Sequence, residues 1–96
     1  MTSLLTEARR LLKHIRKWTA LEKMIERKTR ELEECKKALQ KAEHPKHVRK
    51  HSIRYSIAYK QLHALIALKK KISIDIKRIE EDLKKELAKI RAELHS

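Results

Sequence analysis

The chain contains no glycine and no asparagine. Those two residues enter left-handed backbone conformations most easily, so a sequence without them has few ways to build tight turns. It also has no phenylalanine, three aromatic residues in all, one proline and one cysteine. These absences argue against sheet-rich and loop-rich folds. The single thiol, Cys35, rules out an intrachain disulfide framework. The longest purely apolar run is Ala64-Leu65-Ile66-Ala67-Leu68, far too short to span a bilayer. Glu7, Arg9 and Arg10 interrupt the early leucines, so no signal peptide is expected. A soluble protein, intracellular or part of a nucleoprotein particle such as a virion, is the expectation.

What the chain has is Ala, Leu, Ile, Lys, Glu and Arg, the composition of long helices. In 96 residues there are 26 Lys and Arg against 13 Asp and Glu, a formal net charge of +13. A balance this basic points to a polyanionic partner: nucleic acid, an anionic membrane surface or an acidic protein.

Hydrophobic spacing predicts a first helix over about residues 3–43, starting after a Thr2 or Ser3 cap. Leu4, Leu11, Trp18, Ile25, Leu32 and Leu39 repeat every seven residues and form a coiled-coil-like seam. Its apolar flank changes, with Ala8 and Ile15 early and Leu21, Cys35 and Ala42 later. That change predicts a stripe that rotates around the helix near Trp18. Pro45 disfavours helical geometry at His44 and suits the first turn of a new helix. The corner is therefore expected at about residues 43–46, with a second helix over about 46–93. Its seam reads Ala58, Leu62, Leu65, Ile72, Ile76, Ile79 and Leu83, interrupted by Lys69. A step of four then leads to Leu87, Ile90 and Leu94, which predicts a stutter.

Folding at the corner pairs Leu4 with Leu87, Trp18 with Ile72, Ile25 with Leu65 and Leu32 with Ala58. Seam meets seam, so the predicted fold is all-α: one domain over residues 1–96, a long antiparallel helical hairpin. The alternative is one nearly continuous helix that exchanges partners around Pro45. Two helices bury only one stripe each. Residues 57–68 (IAYKQLHALIAL) hold more apolar side chains than one face can hide. Assembly into a four-helix-bundle dimer or a higher oligomer is therefore expected, with Ile57, Tyr59, Leu62, Leu65, Ile66 and Leu68 at the interface.

The other side of helix 1 carries a ladder: Arg9, Lys13, Arg16, Lys23, Arg27, Arg30, Lys37 and Lys41, interrupted only by Ala20 and Glu34. Alternating steps of three and four keep these side chains on one face. Helix 2 carries paired cations that recur every seven residues, Lys70-Lys71, Lys77-Arg78 and Lys84-Lys85, followed by Arg91. The corner adds Lys46, Arg49, Lys50 and Arg54, and no acid occurs between Glu43 and Asp75. Rows of cations on stiff helices suit a phosphate backbone, where each contact releases counterions and affinity does not depend on sequence. No helix-turn-helix, zinc-finger or RNA-recognition motif accompanies them. Tyr55 and Tyr59 could stack on bases, but their spacing next to the seam favours packing, as does the seam position of Trp18.

His44, His47 and His51 are spaced as metal ligands could be on a helix. The surrounding Lys and Arg would repel a divalent cation, and no metal or other cofactor is expected. Cys35 lies on the seam flank with no base assigned beside it, and no enzymatic activity is expected. In length and single corner the chain is similar to the small secreted helical hairpins whose turn carries Trp-x-Gly. Here the turn reads Glu43-His44-Pro45-Lys46 and the tryptophan lies mid-helix, so no residue role carries over.

The leading expectation is a non-enzymatic, sequence-independent nucleic-acid-binding structural protein, chromatin-like or nucleocapsid-like. The alternative is a helical interaction module, an adaptor, chaperone or secretion-complex subunit, that binds an acidic or apolar partner. Peripheral binding to an anionic membrane is a third reading, weakened by the scarcity of aromatics.

Overall fold

A computed structural model describes residues 2–95, with side chains from Leu4 onward. Two helices account for nearly all of it: α1, Thr2–Lys41, and α2, Pro45–His95. Among the described residues there is no strand. The predicted Thr2 or Ser3 cap lies outside the described side chains. The chain is an all-α helical hairpin whose packing divides into two compact units, each drawing on both helices. One joins the residues up to Ala20 with those from Lys70, and the other is Leu21–Lys69.

The link comprises three residues. α1 stops at Lys41, and Ala42, Glu43 and His44 connect it to a helix that begins at Pro45 itself. The Ala42 amide donates to the Leu39 carbonyl at 3.3 Å, which tightens the last turn of α1. His44 then caps α2. Its carbonyl accepts from the amides of His47 and Val48, both at 3.0 Å. Its ring Nδ1 accepts from the Lys46 amide at 3.1 Å. This is the geometry of an N-cap, with Pro45 in the first helical position, where its missing N–H costs nothing. Among the described residues none has a positive φ, so the chain reverses direction without the conformation that glycine would supply. His44→Ala is expected to lower stability by about 0.5–1 kcal/mol, the usual scale for an N-cap side chain. Urea unfolding followed by circular dichroism measures it, and an unchanged midpoint would remove the cap from the account.

In each unit the helices pack antiparallel. In the unit containing both termini, the Trp18 indole Nε1 donates to Ser73 Oγ at 3.0 Å, one residue from the expected partner Ile72. In the other, Lys69 Nζ lies 3.3 Å from Glu22 Oε1. The fully buried apolar side chains are Leu21, Cys35, Ala58, Ile72 and Ile79. The six-residue seam of α1 is half-buried along its whole length.

Two details of the expected seam are corrected. The stripe on α1 does not rotate near Trp18. Glu7, His14, Leu21, Lys28, Cys35 and Ala42 form the second inward row, all buried or half-buried, whereas Ala8 and Ile15 are exposed. Nor does α2 stutter. Its rows continue at seven-residue spacing through Ile76, Leu83 and Ile90 and through Ile72, Ile79 and Glu86, all at least half-buried. Leu87 is 45% exposed and Leu94 79%. The reason is the same in both places. Burial follows a seven-residue spacing, and polar side chains on that line can bury their stems while their heads reach water. Lys69 does this within the seam, reaching Glu22.

Candidate nucleic-acid interface

Helical geometry places the α1 ladder nearly opposite the inward rows, because its positions fall in the two parts of the seven-residue repeat furthest from them. The paired cations of α2 flank the side opposite its inward rows, with exposed Ile74 and Glu81 between them. The structure leaves every one of them in solvent. Arg9, Lys13 and Arg16 are exposed on α1 in the unit containing the termini, and Lys70, Lys71, Lys77 and Arg78 are exposed on α2 there. In the other unit, Lys23, Arg27, Arg30, Lys37 and Lys41 are exposed on α1, and Lys46, Arg49, Lys50 and Arg54 are exposed near the start of α2.

Four carboxylates pair with cations outside these rows. Glu7 pairs with Arg10 at 3.7 Å, Glu31 with Lys28 at 2.9 Å, Glu22 with Lys69 at 3.3 Å and Glu86 with Lys89 at 3.7 Å. Of the sixteen cations singled out in the sequence, only Arg30 has an ion pair among the described residues, with Glu26 at 3.9 Å. That pair is solvent-exposed on both sides, and such pairs contribute little to stability. The others project into solvent with no carboxylate at ion-pair distance.

The expected self-association residues do not share one surface. Leu62 and Leu65 are half-buried in the inward rows, where they serve the hairpin itself. Ile66 is half-buried beside them. Ile57, Tyr59 and Leu68 are exposed at 52%, 47% and 46%. Leu68 belongs to an open groove of about 610 Å³ lined by Met24, Arg27, Lys28, Glu31, Gln61, Ala64, Leu65 and Leu68. Leu5, Leu12 and Ile15 are exposed on α1 in the unit containing the termini.

The aromatic side chains pack among themselves. Tyr55 and Tyr59 stack with ring centroids 6.2 Å apart, and Tyr59 meets His63 at 4.4 Å. His44 and His47 meet edge to face at 5.7 Å. Among the described residues, no group of three His, Cys, Asp or Glu side chains is placed to hold a metal ion. Cys35 and His51 line one small cavity of about 170 Å³ with Glu31, Glu34, Ala38 and Arg54. The sequence analysis assigned no base beside Cys35 and missed His51, which α2 brings to the same cavity. No helix of the described residues is long and apolar enough to cross a membrane.

Compared with protein-family models, curated proteins and solved structures, the chain has no match. Any functional reading therefore rests on the chain's own side chains.

Proposed function

We propose that this protein binds nucleic acid through its outward basic faces, without reading sequence, as a structural component that coats or packages it. One observation carries the reading: the sixteen candidate cations are all exposed and, Arg30 apart, have no carboxylate partner among the described residues. A solvated helix surface of ordinary composition spends its cations in pairs three or four residues apart. Here the ion pairs among the described residues involve Arg10, Lys28, Lys69 and Lys89, with Arg30 alone from the ladders, and the ladders offer their charge to another anion. Phosphates spaced along a strand suit them, because neutralising each one releases condensed counterions. The proposed role is non-enzymatic and uses no cofactor. Assembly of hairpins into a four-helix bundle belongs to the same proposal, with exposed Leu5, Leu12 and Ile15 as the apolar contact offered to a second copy.

The test starts with protein purified under native conditions. Its ratio of absorbance at 260 nm to 280 nm is expected to be high before nuclease treatment and to fall afterwards. Clean protein that leaves duplex DNA and RNA unbound at low salt would end the proposal.

A second reading has its own observation. The open groove lined by Met24, Ala64, Leu65 and Leu68 also carries Arg27 and the Lys28–Glu31 ion pair. That combination suits an amphipathic partner helix with leucine-like anchors and acidic flanks, bound in the helix-in-groove manner. A defined hetero-complex on co-purification, with no retained nucleic acid, would favour it.

A further inference from the structure

We infer that the hairpin has two nucleic-acid faces pointing in opposite directions, so that one molecule bridges two separate segments. The inference rests on the nucleic-acid reading above and adds a geometry that neither the charge count nor the ladders alone contain.

The unit that contains both termini carries the argument. There α1 and α2 pack antiparallel, held by the Trp18–Ser73 hydrogen bond and by burial of Ile72 and Ile79. Arg9, Lys13 and Arg16 lie on the side of α1 away from its inward rows, and so away from α2. Lys70, Lys71, Lys77 and Arg78 lie on the side of α2 away from α1. All seven are exposed, and none has an ion-pair partner among the described residues. No acid interrupts Arg9, Lys13 and Arg16 on α1, and on α2 the four cations run without an acid until exposed Glu81, which lies on the same outward side one turn beyond Lys77 and Arg78. Glu7 lies on an inward row of α1, and Asp75, half-buried, lies beside the inward rows of α2.

The two rows are thus separated by the full thickness of a helix pair, about 20 Å from the diameters of two helices. A duplex lying along one row cannot also reach the other. Wrapping around the hairpin would require a sharp bend within a few base pairs, whereas duplex DNA stays stiff over about 150 base pairs. Phosphates that engage both rows must therefore come from two segments. The cations between those segments offset the repulsion that would otherwise hold two polyanions apart.

A two-duplex capture assay with the full chain tests this. A biotinylated duplex is fixed on beads, protein is titrated until that duplex is just saturated at low salt, and a second, fluorescent duplex is added. Wild type is expected to capture the second duplex. Two charge-reversed variants isolate the faces: Arg9→Glu, Lys13→Glu and Arg16→Glu on α1, and Lys70→Glu, Lys71→Glu, Lys77→Glu and Arg78→Glu on α2. Circular dichroism checks that each remains helical. Each is expected to hold the bead duplex while its capture of the second falls by about tenfold or more, as expected when a row of phosphate contacts is lost. Wild type that holds the first duplex and never captures a second overturns the bridge and leaves the nucleic-acid reading standing. Failure to hold even the first duplex ends both. A one-face variant that still captures as wild type does would place bridging in self-association and overturn the inference. So would a one-face variant that loses the bead duplex altogether, because the rows would then act as one surface.

Discussion

Replacing Arg9, Arg16, Lys23 and Arg30 with glutamine is expected to weaken duplex binding by roughly 10- to 100-fold near physiological salt and to flatten its salt dependence. These four positions share one line along α1, and all are exposed. Each phosphate contact contributes about 0.9 to the slope of log affinity against log salt, so loss of four should reduce that slope by about 3 to 4. The two readouts separate a real interface from general basicity. Smearing the same charge loss over the molecule would weaken binding at one salt concentration. Only loss of engaged contacts changes the slope by nearly one per residue removed. Fluorescence anisotropy with a labelled duplex at several salt concentrations measures both. A variant that matches wild type in affinity and slope would mean that the α1 ladder does not touch phosphate. Because Lys13, Arg27, Lys37, Lys41 and the α2 cations remain, residual binding is part of the expected result.

The second large effect concerns stability. Ile79 is 2% exposed and is the largest fully buried side chain among the described residues. Only four other apolar side chains there are buried, and two of them, Cys35 and Ala58, are small. Truncating a buried isoleucine to alanine costs about 2–5 kcal/mol through lost transfer energy and the cavity left behind. A native domain has only about 5–15 kcal/mol of stability in total, and a small core sits at the low end. Ile79→Ala is therefore expected to remove a large share of this protein's stability. Leu87→Ala, at a side chain 45% exposed, should cost less than about 1 kcal/mol. Urea unfolding of the two variants side by side is the measurement. Equal losses would contradict the continuous inward rows of α2 and restore the stutter that would turn Leu87 inward.

That comparison falls where sequence and structure part company. The periodic leucines of α1, the turn at Pro45 and the antiparallel register were legible, because each follows from local geometry. Heptad spacing defines a line on a helix, proline without an N–H starts a helix more readily than it continues one, and a short link forces neighbouring helices to run antiparallel. The exposed cationic ladders were legible too, since a face opposite an apolar seam has no partner to hide it.

The choice between competing apolar rows was not legible. On α1 the sequence offers Ala8 and Ile15 as well as the row that contains Glu7 and His14, and hydrophobicity alone favours the first pair. Burial follows the second row, which keeps the seven-residue spacing of Leu21 and Cys35, and the stems of Glu7 and His14 tolerate the seam. On α2 the same rule puts Glu86 inward and leaves Leu87 outside. The His44 cap was hidden for a different reason. A histidine beside three other basic residues reads as part of a charge cluster until its ring nitrogen is seen accepting the Lys46 amide.

By itself, then, the sequence determined two helices, one corner, their antiparallel register and an excess of positive charge on their outer sides. These depend on residue type and spacing within a single helix. Only the tertiary structure decided which side chains are buried and which carboxylates lie beside which cations. Those depend on the partner helix, whose residues lie tens of positions away along the chain.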